Sequence, residues 1–400
     1  MKYLWIGICR DDVLEKEIIE NGGQMFSGHV ANDSLCQGFI NNGIFFDSIN
    51  GRGIKHYPRY KQLFPKRYDW VDSVGKHVSV GYVNGKYSRI VSRVISMKRE
   101  ARKWVQANRN VEVRVFIYGL SSPNLAIIPI IKRKIPNAVV SLIIPDLPEY
   151  KDLNASAFKR FLKGVESHYL DKRLKYVDCF FVFAEKMAEY LKIPDGRWSV
   201  MEGSINLNTV KEITQNNERK KAVMYAGICN YDFGMDILLK AFEMVPDEDA
   251  ELWIAGTGNA EKLIRECAQK DPRIKYYGYI SHSQVLEMEL QASAVINLRN
   301  PAQLVSQYAF PSKIFEYMLS ACPVLSFRVK GIPDEYFDYI TEMENISPEC
   351  VSNSLISALR MPSEKRERVG MKAREFVLKN KNNTVQVKKM LDFVDEKVLE

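Results

Sequence analysis

The chain has 400 residues, 46% hydrophobic and 26% charged, with a formal net charge of +8 at neutral pH. This length exceeds what one hydrophobic core usually serves and predicts two domains, and the balanced composition excludes a disordered or fibrous protein. An odd count of seven cysteines, without a Cys-x-x-Cys pair, argues against a disulfide framework or a zinc site. It favours a reducing cytosol, and the lack of any run of 18 apolar residues excludes a predicted membrane span.

Short apolar runs alternate with amphipathic stretches along the whole chain. Strands are predicted at 3–9, 111–118, 139–144, 179–183, 222–226, 251–255, 274–277, 294–298 and 324–327. Helices are predicted at 87–106, 157–175, 184–191, 235–245, 260–270, 283–291, 312–321 and 364–378. This alternation is typical of βαβ units, and parallel sheets bind ligands at the carboxyl ends of their strands.

The predicted elements fall into two α/β domains. An N-terminal domain is expected at 1–204, a polar, Asn-rich linker at 205–219 and a C-terminal domain at 220–382. Apolar residues at helical spacing predict a separate terminal helix at 383–400. Two parallel sheets in one chain are expected to leave a cleft between them.

Charge is concentrated in the first half. Residues 51–150 carry 19 Lys and Arg against 6 Asp and Glu, a net +13, whereas residues 201–400 carry 25 against 29, a net −4. This asymmetry predicts an anionic partner: nucleic acid, an anionic membrane surface or a phosphorylated substrate. Nucleic acid is disfavoured because no helix-turn-helix or aromatic-interleaved module accompanies the charge.

The helix predicted at 87–106 carries much of this charge. Its apolar face is interpreted as core, and its basic face as either plainly solvated or membrane-facing. Arg93, Arg99 and Lys103 are expected to be exposed on that basic face.

The most specific motif is 310–318, FPSKIFEYM. Pro311 and Ser312 predict a helix start with a capping hydroxyl. Lys313 places a cation in the first turn, where the helix dipole disfavours it, which favours a bound phosphate as its partner. Glu316 follows one turn later and could accept hydrogen bonds from a ribose diol. An ordinary capped helix explains the same residues, and the motif alone does not decide between the two.

Two weaker signals are interpreted as structural. The acidic run 247–249 has the Asp-x-Asp spacing of some metal sites, but beside Pro246 it favours a solvated turn, and the five histidines lack ligand spacing. Gly256 and Gly258 lack the third glycine of a dinucleotide fingerprint, since position 261 is Glu261. No metal and no cofactor is therefore expected.

The motif at 310–318, with ACPVL at 321–325, resembles the donor-binding helix of the retaining family-4, or group 1, glycosyltransferases. Likeness to that family extends over 223–227, 233–242, 252–258, 274–280 and 285–297. In the first half, 143–150 and 200–205 are similar to its bacterial cell-surface polysaccharide branches. The resemblance implies the GT-B fold, in which two Rossmann-like parallel-sheet domains face a cleft.

The resemblance implies a donor site in the second domain, formed by Gly227, Gly256, Tyr279, Ile280, Arg299, Tyr308, Ser312, Lys313 and Glu316. Lys313, with the helix start and Arg299, is expected to stabilise the departing diphosphate, and Glu316 to hold the ribose. Tyr279 and Ile280 are expected to flank the base. The alternative interpretation of Arg299 is an ordinary surface arginine in a loop.

Asp146 is the catalytic candidate of the first domain, together with Lys313 of the second. Asp146 ends an apolar strand, near the position from which relatives present a residue to the sugar. The alternative is a turn or N-cap aspartate before Pro148.

Two features depart from the family pattern. The family usually has Glu-x7-Glu, and in many relatives the first of these glutamates contacts the transferred sugar. In this chain Tyr308 stands at the position of that first glutamate. The first glycine turn, 227–234, lacks the usual cations, so that Lys313 must carry more of the diphosphate charge.

The implied activity is metal-independent, retaining transfer from a nucleotide-sugar, UDP-linked, to a lipid-linked or saccharide acceptor. Capsule or O-antigen polysaccharide assembly is the expected pathway. The expected location is cytoplasmic, with peripheral attachment to an anionic membrane surface on the inner face of the plasma membrane. The alternative is a non-catalytic partner subunit of the same fold, which Tyr308 and the missing cations favour.

Overall fold

A computed structural model describes residues 1–23, 27–147, 157–210 and 219–399. The chain divides into two compact units. Unit 1 comprises Met1–Phe183, Met187–Ser204 and Asn383–Glu400, and unit 2 comprises Ala184–Lys186 and Ile205–Asn382. Of the sequence predictions, residues 148–150 of the family resemblance and 211–218 of the linker lie outside the described residues.

Unit 1 contains an eight-stranded sheet with the order β3-β4-β2-β1-β5-β6-β7-β8. Its strands are β1 Lys2–Gly7, β2 Phe46–Asn50, β3 Tyr68–Val71, β4 Lys76–Ser79, β5 Val113–Tyr118, β6 Val139–Ile144, β7 Cys179–Val182 and β8 Trp198–Val200. All neighbours pair in parallel except β3 and β4. The central strands are buried on both faces, as expected where helices cover a parallel sheet.

The helices between these strands are α1 Asp12–Glu20, α2 Ser27–Asn41, α3 Ser88–Asn108, α4 Ser122–Leu125, α5 Ile128–Lys134, α6 Ala157–Leu174 and α7 Glu185–Tyr190. An aromatic group anchors the core of unit 1. Trp5 of β1 is 1% exposed and lies edge-on to Phe39 of α2 at 5.5 Å and tilted to Phe46 of β2 at 6.1 Å. Such pairs contribute beyond their buried area.

Unit 2 contains a six-stranded parallel sheet with the order β11-β10-β9-β12-β13-β14. Its strands are β9 Lys220–Ala226, β10 Glu251–Ala255, β11 Ile274–Gly278, β12 Ala292–Asn297, β13 Val324–Phe327 and β14 Thr341–Met343. Its helices are α8 Met235–Glu243, α9 Glu261–Lys270, α10 His282–Gln291, α11 Val305–Tyr308, α12 Lys313–Leu319, α13 Pro348–Leu359 and α14 Ser363–Asn380. The strand order reverses direction between β9 and β12, which is where open α/β sheets bind ligands.

The last helix, α15 (Asn383–Leu399), packs on α2 of unit 1. Its inward face buries Val387, Met390 and Val394, each at most 1% exposed. Close approach requires a glycine on α2, since a Cβ on Gly38 would lie 2.4 Å from the carbonyl oxygen of Asn383. The C-terminal segment thus completes the fold of unit 1.

Two sequence expectations need correction. The first strand ends at Gly7, so that Cys9 lies beyond it. Arg93 is not an exposed cation: its guanidinium lies 5.5 Å from the centre of the Tyr82 ring and fills the space beside Gly51. Helical periodicity could place Arg93 beside the apolar face but could not show that its side chain folds inward.

In the part of the chain that the structure describes, no helix is both long and apolar enough to cross a membrane. All seven cysteines are free thiols. Burial raises the pKa of Cys9 to about 11 and that of Cys229 to about 12, so that both thiols are protonated at neutral pH.

Candidate functional site in unit 2

Two glycine turns lie side by side at the carboxyl edge of the unit 2 sheet. Gly227 follows β9 and its amide donates to the carbonyl of Ala255 at 2.9 Å, while the amide of Gly256 donates to the carbonyl of Gly278 at 2.7 Å. A Cβ on Gly256 would lie 1.8 Å from the carbonyl oxygen of Gly227, and its φ of +136° disfavours other residues. The two turns therefore form one continuous backbone surface, on which a side chain at position 256 has no room.

Helix α12 is attached directly beside this surface. The hydroxyl of Tyr317 donates to the carbonyl of Ala226 at 3.1 Å and accepts from the amide of Ala226 at 3.0 Å. Tyr317 is 1% exposed, and burial raises the pKa of its hydroxyl well above the ordinary value, which keeps the donor proton in place. The last residue of β9 thereby fixes α12, through a residue in its second half, next to Gly227.

A cluster of four charged or titratable side chains joins α10 to α12. Lys313 forms ion pairs with Glu316 and, at 3.5 Å, with Glu289. His282 reaches the same oxygen of Glu316 at 3.3 Å. Lys313 and Glu316 are about a quarter exposed, His282 is largely exposed and Glu289 is buried. The cluster thus runs from the surface into the interior of unit 2.

The cation and the central carboxylate of this cluster are both charged at neutral pH. Burial alone would lower the pKa of Lys313, but the two carboxylates of Glu289 and Glu316 outweigh it and raise that pKa. Burial opposes ionisation of Glu316, yet His282 and Lys313 hold the pKa of Glu316 below its usual value. The unfavourable position of Lys313 in the helix dipole is therefore offset within the fold by two carboxylates.

Glu289 is the buried member of the cluster. It is 1% exposed, and its Oε2 has no hydrogen-bond partner among the described residues. A cavity of about 40 Å³ adjoins it, lined also by Leu286, Glu316 and Arg374. Burial raises the pKa of Glu289 to about 7, so that it changes charge near neutrality.

Replacing Glu289 with glutamine is expected to alter the pH dependence of stability. Because the native state holds this proton up to about pH 7 while the unfolded chain releases it near 4.5, the free energy of unfolding of the parent falls over that range. Glu289→Gln removes this fall. Between pH 5 and 8, the free energy of unfolding of the variant should therefore rise relative to that of the parent by about 2 kcal/mol. Thermal unfolding at a series of pH values measures this difference.

The matched control for that measurement is Glu266→Gln, whose side chain is 53% exposed. Its melting temperature should follow that of the parent at every pH. Parallel curves for the parent and Glu289→Gln would show that the buried carboxyl does not titrate near neutrality.

Ser312 does not cap α12 as predicted. It is exposed, its backbone is helical and its side chain makes no capping hydrogen bond. A helical conformation at this position points the hydroxyl away from the amides that a cap must reach.

Tyr308, the last residue of α11, is half-buried. A Cβ on Gly331 would lie 2.4 Å from the carbonyl of Ala309, which shows how closely the segment after Tyr308 packs on the loop following β13.

Arg299 and the 279–282 segment border the same edge. The Arg299 guanidinium lies 5.3 Å from the centre of the Phe233 ring, inside the first glycine turn. Ile280 packs on the core of unit 2, whereas Tyr279 is 86% exposed. Since His282 contacts Glu316, the segment that carries Tyr279 and Ile280 lies close to α12.

Asp146 belongs to unit 1 and is exposed two residues after β6. It is close enough to the Tyr118 hydroxyl, at the end of β5, to help raise the pKa of Tyr118, although burial is the larger cause. Asp146 therefore lies at the carboxyl edge of its own sheet, as the sequence predicts.

The acidic run at 247–249 lies at the opposite edge of the unit 2 sheet, before β10. Asp247 pairs with Lys221 at 2.5 Å, which lowers its pKa, and the carbonyl of Asp247 accepts from Arg273 at 2.9 Å. No group of three or more His, Cys, Asp or Glu residues with metal-binding geometry occurs within the described ranges.

His282 and Glu289 were not predicted from the sequence. They are seven residues apart and so lie on one face of α10. Only the approach of that face to α12 distinguishes them from other polar residues of the helix, and sequence spacing does not show it.

Residues 220–359 match the model of the family described as glycosyl transferases, group 1. Among curated proteins, none matches the chain in sequence. The family match spans β9 to α13 and therefore includes every donor-site residue named above.

Solved structures with a similar fold cover almost the whole chain. A mutant of S. aureus TarM, in complex with fondaparinux, alpha-GlcNAc-glycerol and UDP, is 11% identical with a TM-score of 0.60, over 99% of this chain and 100% of that one. The lipopolysaccharide outer core galactosyltransferase WaaB, in its apo form, is 13% identical with a TM-score of 0.62, over 99% and 100%. HepE of Anabaena, in complex with UDP and glucose, is 10% identical with a TM-score of 0.58, over 99% and 100%.

Proposed function

We propose that this chain, a glycosyltransferase of the GT-B kind, transfers a sugar from a UDP-linked donor to a saccharide or lipid-linked acceptor with retention of configuration. The observation that carries the proposal is the pairing of Lys313 and Glu316 on a helix that Tyr317 fixes beside the glycine turns. A cation and a hydrogen-bond acceptor are thereby placed one turn apart, next to the backbone of the two glycine turns.

In this proposal the donor's diphosphate takes the place of Glu316 as a partner of Lys313. Glu289, 3.5 Å away on the buried side, keeps the ammonium group oriented, so that the cation is in place when negative charge develops on the leaving diphosphate. Glu316, released from Lys313, accepts hydrogen bonds from the ribose hydroxyls. Arg299, beside Phe233 in the first glycine turn, is proposed as a second diphosphate contact.

The base and the sugar are proposed to meet other parts of the same edge. The Tyr279–Ile280 segment would flank the base, and the amides of the turns at Gly227 and Gly256 would contact the donor. Tyr308 occupies the position at which the resemblance leads one to expect a glutamate near the sugar. Asp146 is proposed as a catalytic residue contributed by unit 1, supported by its position two residues after the end of β6.

A UDP-linked donor is supported by two structural neighbours that were solved with UDP. A saccharide-type acceptor is supported by the alpha-GlcNAc-glycerol in one of them. Polysaccharide assembly of the capsule or O-antigen type is proposed from the sequence resemblance. For a lipid-linked acceptor, the proposed location is the inner face of the plasma membrane, with the protein attached peripherally.

The test is release of UDP from UDP-sugars by the purified protein, measured with and without EDTA. We expect turnover to survive chelation within about twofold, because Lys313 supplies the counter-charge and the acidic run at 247–249 lies at the far edge of the sheet. ADP- and GDP-sugars serve as controls for the base. If EDTA abolishes turnover and manganese restores it, the proposed metal-independent mechanism is wrong.

A further inference from the structure

Helix α3 presents an apolar stripe to solvent. Tyr87, directly before the helix, is 69% exposed, and Val91 and Ile95 are each 62% exposed. Residues four apart lie on one helix face, so that these three side chains form a continuous line about 12 Å long. Ile90, at 40% exposure, widens it. Single exposed apolar residues are common, but an aligned set on one face marks an interaction surface.

The stripe is not the packing face of α3. The buried residues of the helix, Met97, Ala101 and Val105, none more than 2% exposed, lie in its C-terminal half, whereas Val91 and Ile95 lie in its N-terminal half and stay exposed. Unit 1 therefore folds without using the stripe, and folding stability does not explain its apolar character.

A basic band continues the same face toward the C-terminal end of α3. Arg99, Arg102 and Lys103 are exposed, between about 6 and 12 Å beyond Ile95 along the axis. Lys86 flanks the other end and lies 5.3 Å from the centre of the Tyr87 ring. Residues 86–103 contain seven Lys and Arg against one acidic residue, Glu100, which is buried and pairs with Arg99 at 3.4 Å and Lys103 at 3.0 Å, so that the band keeps a net positive charge.

The sign of this charge selects the partner. A second copy of the chain would bring two basic bands together, and like charges at an interface disfavour association. Apolar side chains bordered by cations match the boundary between the acyl chains and headgroups of an anionic bilayer, where an in-plane helix inserts about 5–10 Å.

We propose that the stripe of Tyr87, Val91 and Ile95, with the basic band of α3, docks unit 1 on an anionic lipid surface. The proposal rests on the proposed function in one respect: a lipid-linked acceptor would be met at this surface. The sequence predicted membrane attachment from charge alone, with Arg93 as one of the exposed cations. Because Arg93 is packed against Tyr82, the docking surface proposed here uses the apolar stripe instead.

The test is co-sedimentation of the full chain with vesicles of equal parts phosphatidylglycerol and phosphatidylcholine. The variant is Val91→Ser with Ile95→Ser. The control is Val13→Ser with Ile19→Ser on α1, a valine and an isoleucine of matching exposure, 63% and 56%. We expect the α3 variant to bind roughly tenfold more weakly or worse, because two apolar side chains no longer insert, and the control to bind like the parent.

Varying the salt concentration and the lipid composition distinguishes the contribution of the apolar stripe from that of the basic band. Vesicles of phosphatidylcholine alone should bind the parent weakly, and about 1 M salt should weaken binding to anionic vesicles because screening shortens to roughly 3 Å. Equal binding by the parent and the α3 variant, or equal losses in both double variants, would overturn the proposal. So would a parent dimer in sedimentation that the α3 variant abolishes. UDP affinity, measured without vesicles, should be unchanged in both variants, so that failure of the docking proposal and failure of the proposed function are distinguishable.

Discussion

Lys313→Met is expected to lower kcat for sugar transfer by about 100-fold or more, with a smaller effect on KM. Removing one preorganised donor from a developing negative charge typically costs this much. Methionine keeps an unbranched side chain of similar length and removes the ammonium group, with its charge and its hydrogen-bond donors. The measurement is steady-state release of UDP, and the matched control is Lys262→Met, since Lys262 is 90% exposed on α9.

Loss of the cation also leaves two carboxylates close together, which by itself could disturb the site. A double variant, Lys313→Met with Glu289→Gln, restores the charge balance without restoring the cation. If Lys313 serves the diphosphate, the double variant stays as inactive as the single one. Recovery of activity would instead show that Lys313 only neutralises Glu289.

Glu316→Ala is expected to weaken UDP binding by about tenfold or more, because a hydrogen bond to a charged acceptor contributes roughly 1.5–3 kcal/mol. Calorimetric titration with UDP and with 2′-deoxy-UDP tests the assigned contact. The parent should bind the deoxy ligand less tightly than UDP, and the variant should bind both with similar affinity.

Glu266→Ala on α9 is the control for this experiment, since its only ion pair among the described residues is the 3.8 Å contact with Lys262. Its UDP affinity should equal that of the parent. An unchanged UDP affinity in Glu316→Ala would remove the ribose role. If Glu316→Ala binds UDP more weakly but still binds 2′-deoxy-UDP less tightly than UDP, then Glu316 acts only by positioning Lys313.

The architecture was predictable where its signals are local. Alternating apolar runs and amphipathic segments predict nine of the fourteen strands that the described residues form, and glycines mark the turns at the sheet edge. The strands β2, β3, β4, β8 and β14, each three to five residues long, were not predicted, because such short segments carry too little periodicity. The register of Gly256 against Gly227 was not predictable, since it depends on a contact between segments about 30 residues apart. The exposure of α3 was not predictable either, because periodicity defines a helix face but not which side chains fold over it, as Arg93 shows.

The candidate site was predictable only where its residues share one motif. Lys313 and Glu316 stand three residues apart, and the structure pairs them. Their partners His282 and Glu289 come from another helix and have no distinguishing spacing. Ser312 shows the limit of a local rule: a serine before a helix favours capping, but the chain enters α12 already helical and the hydroxyl has no cap to make.

The position of α15 has a consequence for synthesis on the ribosome. All of the chain that forms unit 2 emerges before Asn383–Leu399, yet these last residues are the ones that cover α2 in unit 1. Vectorial synthesis usually lets the N-terminal domain finish first. Here the order is reversed. The sheet of unit 2 can be complete while unit 1 still exposes the apolar surface on which Val387, Met390 and Val394 pack. The nascent chain therefore exposes this part of α2 until Asn383–Leu399 have emerged from the ribosome, and a chaperone would bind it during that interval.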